Sequence, residues 1–211
     1  SMKLIGAGLR CSLVVAAIVS LSACITTEER LFSNEASQEK ALKSRLQLAR
    51  SYIGQQNWQD AKRNLEQAAE IDPDAPEVHE AFALVYQSTG EYELAEESFK
   101  IAIKLNKDFS RARNNYAAFL YQQERYSEAE EQLEIVVQDT LYESRPRAYL
   151  NLGLCRLRLG NPDGAHEAFT RTLTMDRTNI VAIMELAHID YDRGNYAASQ
   201  RQYDLYRLKQ S

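Results

Sequence analysis

ALKSRLQLARSYIGQQNWQDAKRNLEQAAEIDP, residues 41–73, reads as a helix, a tight turn at Gln56–Trp58 and a second helix. The same unit returns along the chain. Ala61, Ala95, Ala129 and Ala165 stand 34, 34 and 36 residues apart, and a further 34 reaches Ser199. Three residues before each comes Trp58, Tyr92, Tyr126, Pro162 or Tyr196. Four residues after each comes Leu65, Phe99, Leu133, Phe169 or Tyr203. A fixed period in this range means a stack of copies of one supersecondary unit.

Each copy follows one template. The first helix carries an apolar and small stripe: Leu48, Ala49 and Tyr52; Phe82, Ala83 and Tyr86; Tyr116, Ala117 and Leu120; Leu152 and Gly153; Leu186 and Ala187. This is the spacing of an amphipathic helix. The Ala of the second helix leaves room for close helix crossing. Polar breaks at Asp72–Asp74, Asn106–Asp108 and Asp176–Thr178 close three of the units, with Pro73 and Pro76 where one helix has ended and the next begins. The two extra residues between the third and fourth units fall at Asp139–Ser144, so the third unit is expected to end in a longer loop or an extended helix.

These residues resemble the tetratricopeptide repeat over residues 41–209, most weakly in the fifth copy, where Ser199 replaces Ala. The resemblance implies an all-α, right-handed superhelix of about five repeats, at about 42–75, 76–109, 110–145, 146–179 and 180–209. No single repeat buries its own apolar face, so stacking must, and a concave inner surface results. No capping helix comes after Tyr203, Tyr206 and Leu208, and a further helix is expected beyond residue 211.

Composition is that of a globular chain, 45% hydrophobic and 26% charged, with net charge −5 and no basic stripe of the kind a nucleic-acid partner needs. Ser1 precedes Met2 and is left aside. A basic start, Met2 to Arg10, leads into a short apolar run from Cys11 to Leu21 and then Leu21-Ser-Ala-Cys24. The run is too short for a permanent membrane span. This order resembles a bacterial lipoprotein signal, residues 2–23. It implies lipidation of Cys24, with palmitate among the acyl chains, and residues 24–40 as lipidated cysteine and tether. Ile25, where an Asp would retain such a protein at the inner membrane, points to the periplasmic face of the outer membrane.

Catalytic chemistry is not in view. Cys155 stands alone and reads as a small buried hydrophobe. His79, His166 and His188 lie in three different repeats without a second ligand at helical spacing. No phosphate loop or nucleophile motif occurs, so a monomeric interaction protein without cofactor or metal is expected. The inner face of the first helices carries Glu80, Leu84, Gln87, Arg111 and Ala118 among others. The candidate partner-binding residues are Leu46, Arg50, Ile53, Asn114, Tyr121, Arg147, Leu150, Leu154, Leu157, Met184 and Tyr191. Towards the end of the array Leu150, Leu154, Leu157, Met184 and Tyr191 form an apolar surface, either an open binding site or the seat of the expected further helix. A groove of this kind suits a helix or an extended peptide.

A lipoprotein signal, a tether and at least five such repeats resemble the type IV pilus biogenesis lipoproteins of the PilF/PilW type. That resemblance implies a pilotin, which binds subunits of the outer-membrane secretin and supports their localisation and assembly. Two other readings stay open: a periplasmic adaptor scaffolding cell-wall enzymes, and a component of outer-membrane β-barrel assembly.

Overall fold

The computed structural model describes residues 34–208; the signal segment and Cys24 lie outside the described residues. Among the described residues there are ten helices and no strand. They are α1 (34–54), α2 (Trp58–Ile71), α3 (Pro76–Thr89), α4 (Tyr92–Leu105), α5 (Ser110–Gln122), α6 (Tyr126–Val136), α7 (Arg145–Arg158), α8 (Pro162–Met175), α9 (Ile180–Asp192) and α10 (Tyr196–Leu208). The chain divides into two compact units, the first ending at Pro73 and the second beginning at Asp74.

In the first unit α1 and α2 form one hairpin. Ala49, Ala61, Leu65 and Ala68 are fully buried. An Arg45 guanidinium N–H donates to Asn64 Oδ1 at 3.3 Å. Asn57 caps α2 by accepting from the Asp60 amide. One expectation is corrected in this unit: Leu48, placed in the apolar stripe, is exposed. Trp58 at the start of α2 is half-buried. The described part of α1 includes Asn34-Glu-Ala-Ser-Gln-Glu-Lys40, a stretch rich in helix-forming residues that contains neither Gly nor Pro.

The second unit is a stack of four hairpins, α3–α4, α5–α6, α7–α8 and α9–α10. Successive hairpins pack second helix to first, and the first helices also meet one another, α3 with α5 and α5 with α7. The hairpin turns repeat the sequence period in backbone geometry. Gln56, Gly90, Glu124, Gly160 and Gly194 all have positive φ, between 58° and 82°. This left-handed residue ends each first helix so that the chain can reverse.

The main core centres on an aromatic trio. Phe99 lies 5.5 Å from Tyr116 and 5.9 Å from Phe119, ring centre to ring centre, and Leu120, Leu133, Val136 and Leu152 close around them. A second cluster joins Ala165, Phe169, Ala182, Leu186 and Ile189. The interface between the first two hairpins of this unit is also tied by charge. Glu96 on α4 accepts from both terminal nitrogens of Arg125, at 2.8 and 3.0 Å, and from the Tyr116 hydroxyl at 3.0 Å. The Arg125 hydrogen bonds hold the Glu96 carboxyl down to about 2.

The extra residues of the third repeat form a loop, not a longer helix. α6 stops at Val136, and the Asp139 carboxylate organises the loop beyond it. It accepts from the Leu141 amide at 3.0 Å and the Ser110 hydroxyl at 2.5 Å, while Arg145 Nε donates to the Val137 carbonyl at 2.7 Å. Such side-chain bonds compete with helix continuation.

Candidate functional site

The period that builds the second unit also aligns side chains on its first helices. Asn115 Nδ2 on α5 donates to Glu80 Oε1 on α3 at 2.7 Å, and Gln122 Oε1 accepts from Gln87 Nε2 at 2.8 Å. Between α5 and α7, Asn151 Nδ2 donates to Asn114 Oδ1 at 3.3 Å, and Arg158 Nε to the Tyr121 hydroxyl at 3.1 Å. The first two pairs are 35 residues apart and the second two 37. Each separation is the local repeat period plus one. Within each helix the two partners lie seven residues apart, two turns or about 10 Å along the axis.

Two parallel rows of polar pairs therefore cross α3, α5 and α7. One runs through Glu80, Asn115, Asn114 and Asn151, the other through Gln87, Gln122, Tyr121 and Arg158. Midway between the rows, at helical spacing from both, stand the half-buried Leu84, Ala118 and Leu154. The arrangement is a trough with an apolar floor and polar walls. At α5–α7 it opens into a cavity of about 150 Å³ lined by Ala117, Ala118, Tyr121, Asn151, Leu154 and Cys155. Burial pushes the Cys155 thiol up to about 12, so it is an inert part of the lining.

Charge is sorted by helix. α5 and α7 together carry six arginines and no acidic residue, whereas α4 and α6 carry seven glutamates. Three of the arginines turn towards neighbouring structure. Arg113 donates to Gln132 and the Lys107 carbonyl, Arg145 to the Val137 carbonyl, and Arg156 to Glu130, Glu134 and the Gly164 carbonyl. Arg111, Arg147 and Arg158 share the face of the trough. Arg111 reaches the fully buried Glu80 carboxylate at 3.4 Å. Arg147 is exposed, one turn before Asn151, and makes no ion pair with a described residue. Burial pushes the Tyr142 phenol up, against a Ser144 hydrogen bond and the positive charges of Arg111 and Arg147.

Of the candidate residues, Asn114, Tyr121, Arg147 and Leu154 come together in this trough. Asn114 is a buried strut within a wall, not an open contact, with 5% of its surface exposed. Leu150, Leu154 and Leu157 do not form one open apolar surface: all three are half-buried against the cluster of Phe169, Ala182 and Leu186, because a leucine on α7 must also fill space towards the last two hairpins, and Leu154 lines the cavity in the trough floor. Met184 on α9 is half-buried, and Tyr191 is exposed near the end of α9, edge-on to Tyr196 at 5.2 Å. Leu46, Arg50 and Ile53 belong to α1 in the first unit, each half-buried. Asn115, Gln122, Asn151 and Arg158 escaped sequence reasoning. Their signal was the period itself, read one position further on.

The period, the hairpin turns and the trough define a helical-repeat scaffold for binding protein segments. Tetratricopeptide-repeat models match residues 52–105 and 108–178. The type IV pilus assembly protein PilF of Pseudomonas aeruginosa is 34% identical over 198 residues, which cover 93% of this chain and 79% of that protein. The chain belongs to the PilF family of type IV pilus assembly proteins. A solved structure of Pseudomonas aeruginosa PilF superposes with a TM-score of 0.79 at 35% identity, over 82% of this chain and 78% of that one. PilW, described as a widely conserved type IV pilus biogenesis factor, superposes with a TM-score of 0.71 at 26% identity, over 79% and 76% of the two chains.

Proposed function

We propose that this protein is a pilotin: a non-enzymatic scaffold that binds subunits of the type IV pilus secretin and supports their delivery and assembly at the outer membrane. Membership of the PilF family supports a role in pilus assembly. The observation that supports a gripping role is the trough across α3, α5 and α7, whose paired walls are held open over an apolar floor. A protein segment laid there exchanges water for the floor and for the spare hydrogen-bonding groups of the walls. Cys24 carries the lipid that addresses the complex to the periplasmic face of the outer membrane, where two or three acyl chains give stable attachment.

The test is capture of the secretin from envelope extract by the full chain, with bound proteins identified by mass. Secretin is expected in the wild-type eluate, and deletion of the gene is expected to abolish pili and leave secretin monomers. Intact pili in the deletion strain, with altered cell shape or a general outer-membrane defect, would refute the pilotin reading. Cys24→Ala is expected to release the protein into the soluble periplasmic fraction; continued membrane attachment would refute lipidation at that residue.

A further inference from the structure

The trough has a sign. Along α5 and α7 its inward-facing charges are Arg111, Arg147 and Arg158; Glu80 on α3 opposes Arg111, and Glu124 in the turn after α5 acts on Arg158. Glu80 is already engaged by Arg111 and Asn115, which leaves Arg147 and Arg158 as the cations open to a ligand. Arg158 Nε donates to a neutral partner, the Tyr121 hydroxyl, and the guanidinium forms no ion pair with a described residue, Glu124 acting on it only through space. The cationic stretch also has an end. One repeat on, at α9, Glu185 and Asp192 occupy the positions equivalent to Asn151 and Arg158.

We propose that the α5–α7 part of the trough takes an extended acidic segment of a protein partner, with carboxylates on Arg147 and Arg158 and the peptide backbone on Asn151. This rests on the scaffold reading above and specifies the chemistry of what the scaffold holds. Asn151 uses one side-chain N–H on Asn114 Oδ1 and keeps its second N–H and its oxygen. Those two groups match the alternating carbonyl and amide of an extended chain. The half-buried Ala118 and Leu154 beneath leave space for small side chains only, in a cavity of about 150 Å³. Arg147 and Arg158 stand eleven residues apart on α7, about 16 Å along its axis, which an extended chain spans in about five residues. Acidic residues are therefore expected about four to six apart on one face of the segment, with none over α9, where Glu185 and Asp192 would repel them.

The experiment titrates the full chain against fluorescein-labelled peptides by anisotropy. One is a Gly/Ser/Ala peptide with Asp at every second position, which puts carboxylates four and six residues apart on one face; the others carry Asn or Lys in its place. The Asp peptide is expected to bind about tenfold more tightly than the Asn peptide, with affinity falling as salt rises. Arg147→Glu with Arg158→Glu is expected to lower that affinity by about tenfold or more, and Arg147→Lys with Arg158→Lys to retain most of it. Both arginines are exposed, so an unchanged far-UV helix signal separates lost binding from lost fold. Equal affinity for the Asp and Asn peptides, or saturable binding of none of the three, overturns the proposal. Secretin capture at the wild-type level by the Arg147→Glu, Arg158→Glu chain overturns it too while leaving the scaffold function standing. A wild-type chain that captures no secretin refutes the scaffold reading instead, and the titration still decides the charge preference.

Discussion

Gly153→Ala is the sharpest single perturbation of the repeat stack. The first-helix position of Gly153 is Ala49, Ala83, Ala117 and Ala187 in the other repeats, so a helix-propensity argument expects alanine to be better there by about 1 kcal/mol. The structure says otherwise. A Cβ on Gly153 would lie 2.5, 2.7 and 2.8 Å from three carbons of the Phe169 ring. Ordinary contact starts at about 3.4 Å, so the ring would have to retreat by close to 1 Å. Phe169 is fully buried in the cluster with Ala165, Ala182 and Leu186, and has nowhere to go. Overpacking of this kind costs about 1–3 kcal/mol, and the rigidity of the site puts it near the upper end. The net expectation is a loss of about 1–2 kcal/mol after the helix gain is set against it. Urea unfolding followed by far-UV circular dichroism reads this as a midpoint lowered by about 0.5 M. The first and third repeats pair Ala49 with Leu65 and Ala117 with Leu133 at the same two positions, which supplies the control. Phe169→Leu should relieve the clash, so the double substitution should be more stable than the sum of the singles by about 1 kcal/mol or more. A Gly153→Ala protein as stable as wild type, or two substitutions that simply add, would refute the packing argument.

Other expected outcomes concern charge, turns and the lone thiol. Glu96 is ionised at lower pH in the folded protein than in the unfolded chain, so its stabilisation is complete above about pH 5 and lost as pH falls from about 4.5 towards 2. Glu96→Gln should remove about 1 kcal/mol at pH 7 and flatten that acid limb in urea titrations, whereas an unchanged limb would locate the acid sensitivity elsewhere. Gln56 and Glu124 hold positive φ without being glycine, so Gln56→Gly or Glu124→Gly should raise stability by up to about 1 kcal/mol in urea unfolding, while Gly90→Ala should lower it by about 1 kcal/mol although nothing stands near its Cβ. Cys155 is buried with its thiol pushed up to about 12, so iodoacetamide at pH 8 should leave it unlabelled in native protein and label it in urea; fast labelling of the folded chain would contradict its burial.

Gly153 shows where sequence reasoning stops. Its place in the template was legible from the period, but not that Phe169 closes over it, since the fifth repeat pairs Ala187 with Tyr203 at the same spacing. The trough shows the same boundary. Counting one inward residue per turn found Glu80, Gln87, Arg111, Asn114, Tyr121 and Arg147. A helix advances 100° per residue, so its inner face is about two residues wide, and Asn115, Gln122, Asn151 and Arg158 were passed over. The three leucines of α7 were legible as apolar but not as half-buried, because apolarity does not say which side of a helix a neighbouring hairpin will cover.

By itself the sequence determined the helical hairpins, their number, their turns and the family, because a period of 34 residues with small residues at the crossings admits one kind of packing. Only the tertiary structure decided which side chains meet across neighbouring first helices. Those meetings depend on a stagger of one residue between stacked helices, and that stagger is set by how the hairpins pack, not by any residue in them. It is this stagger that pairs Asn114 with Asn151 and Tyr121 with Arg158, and leaves Arg147 facing the trough without an ion-pair partner among the described residues.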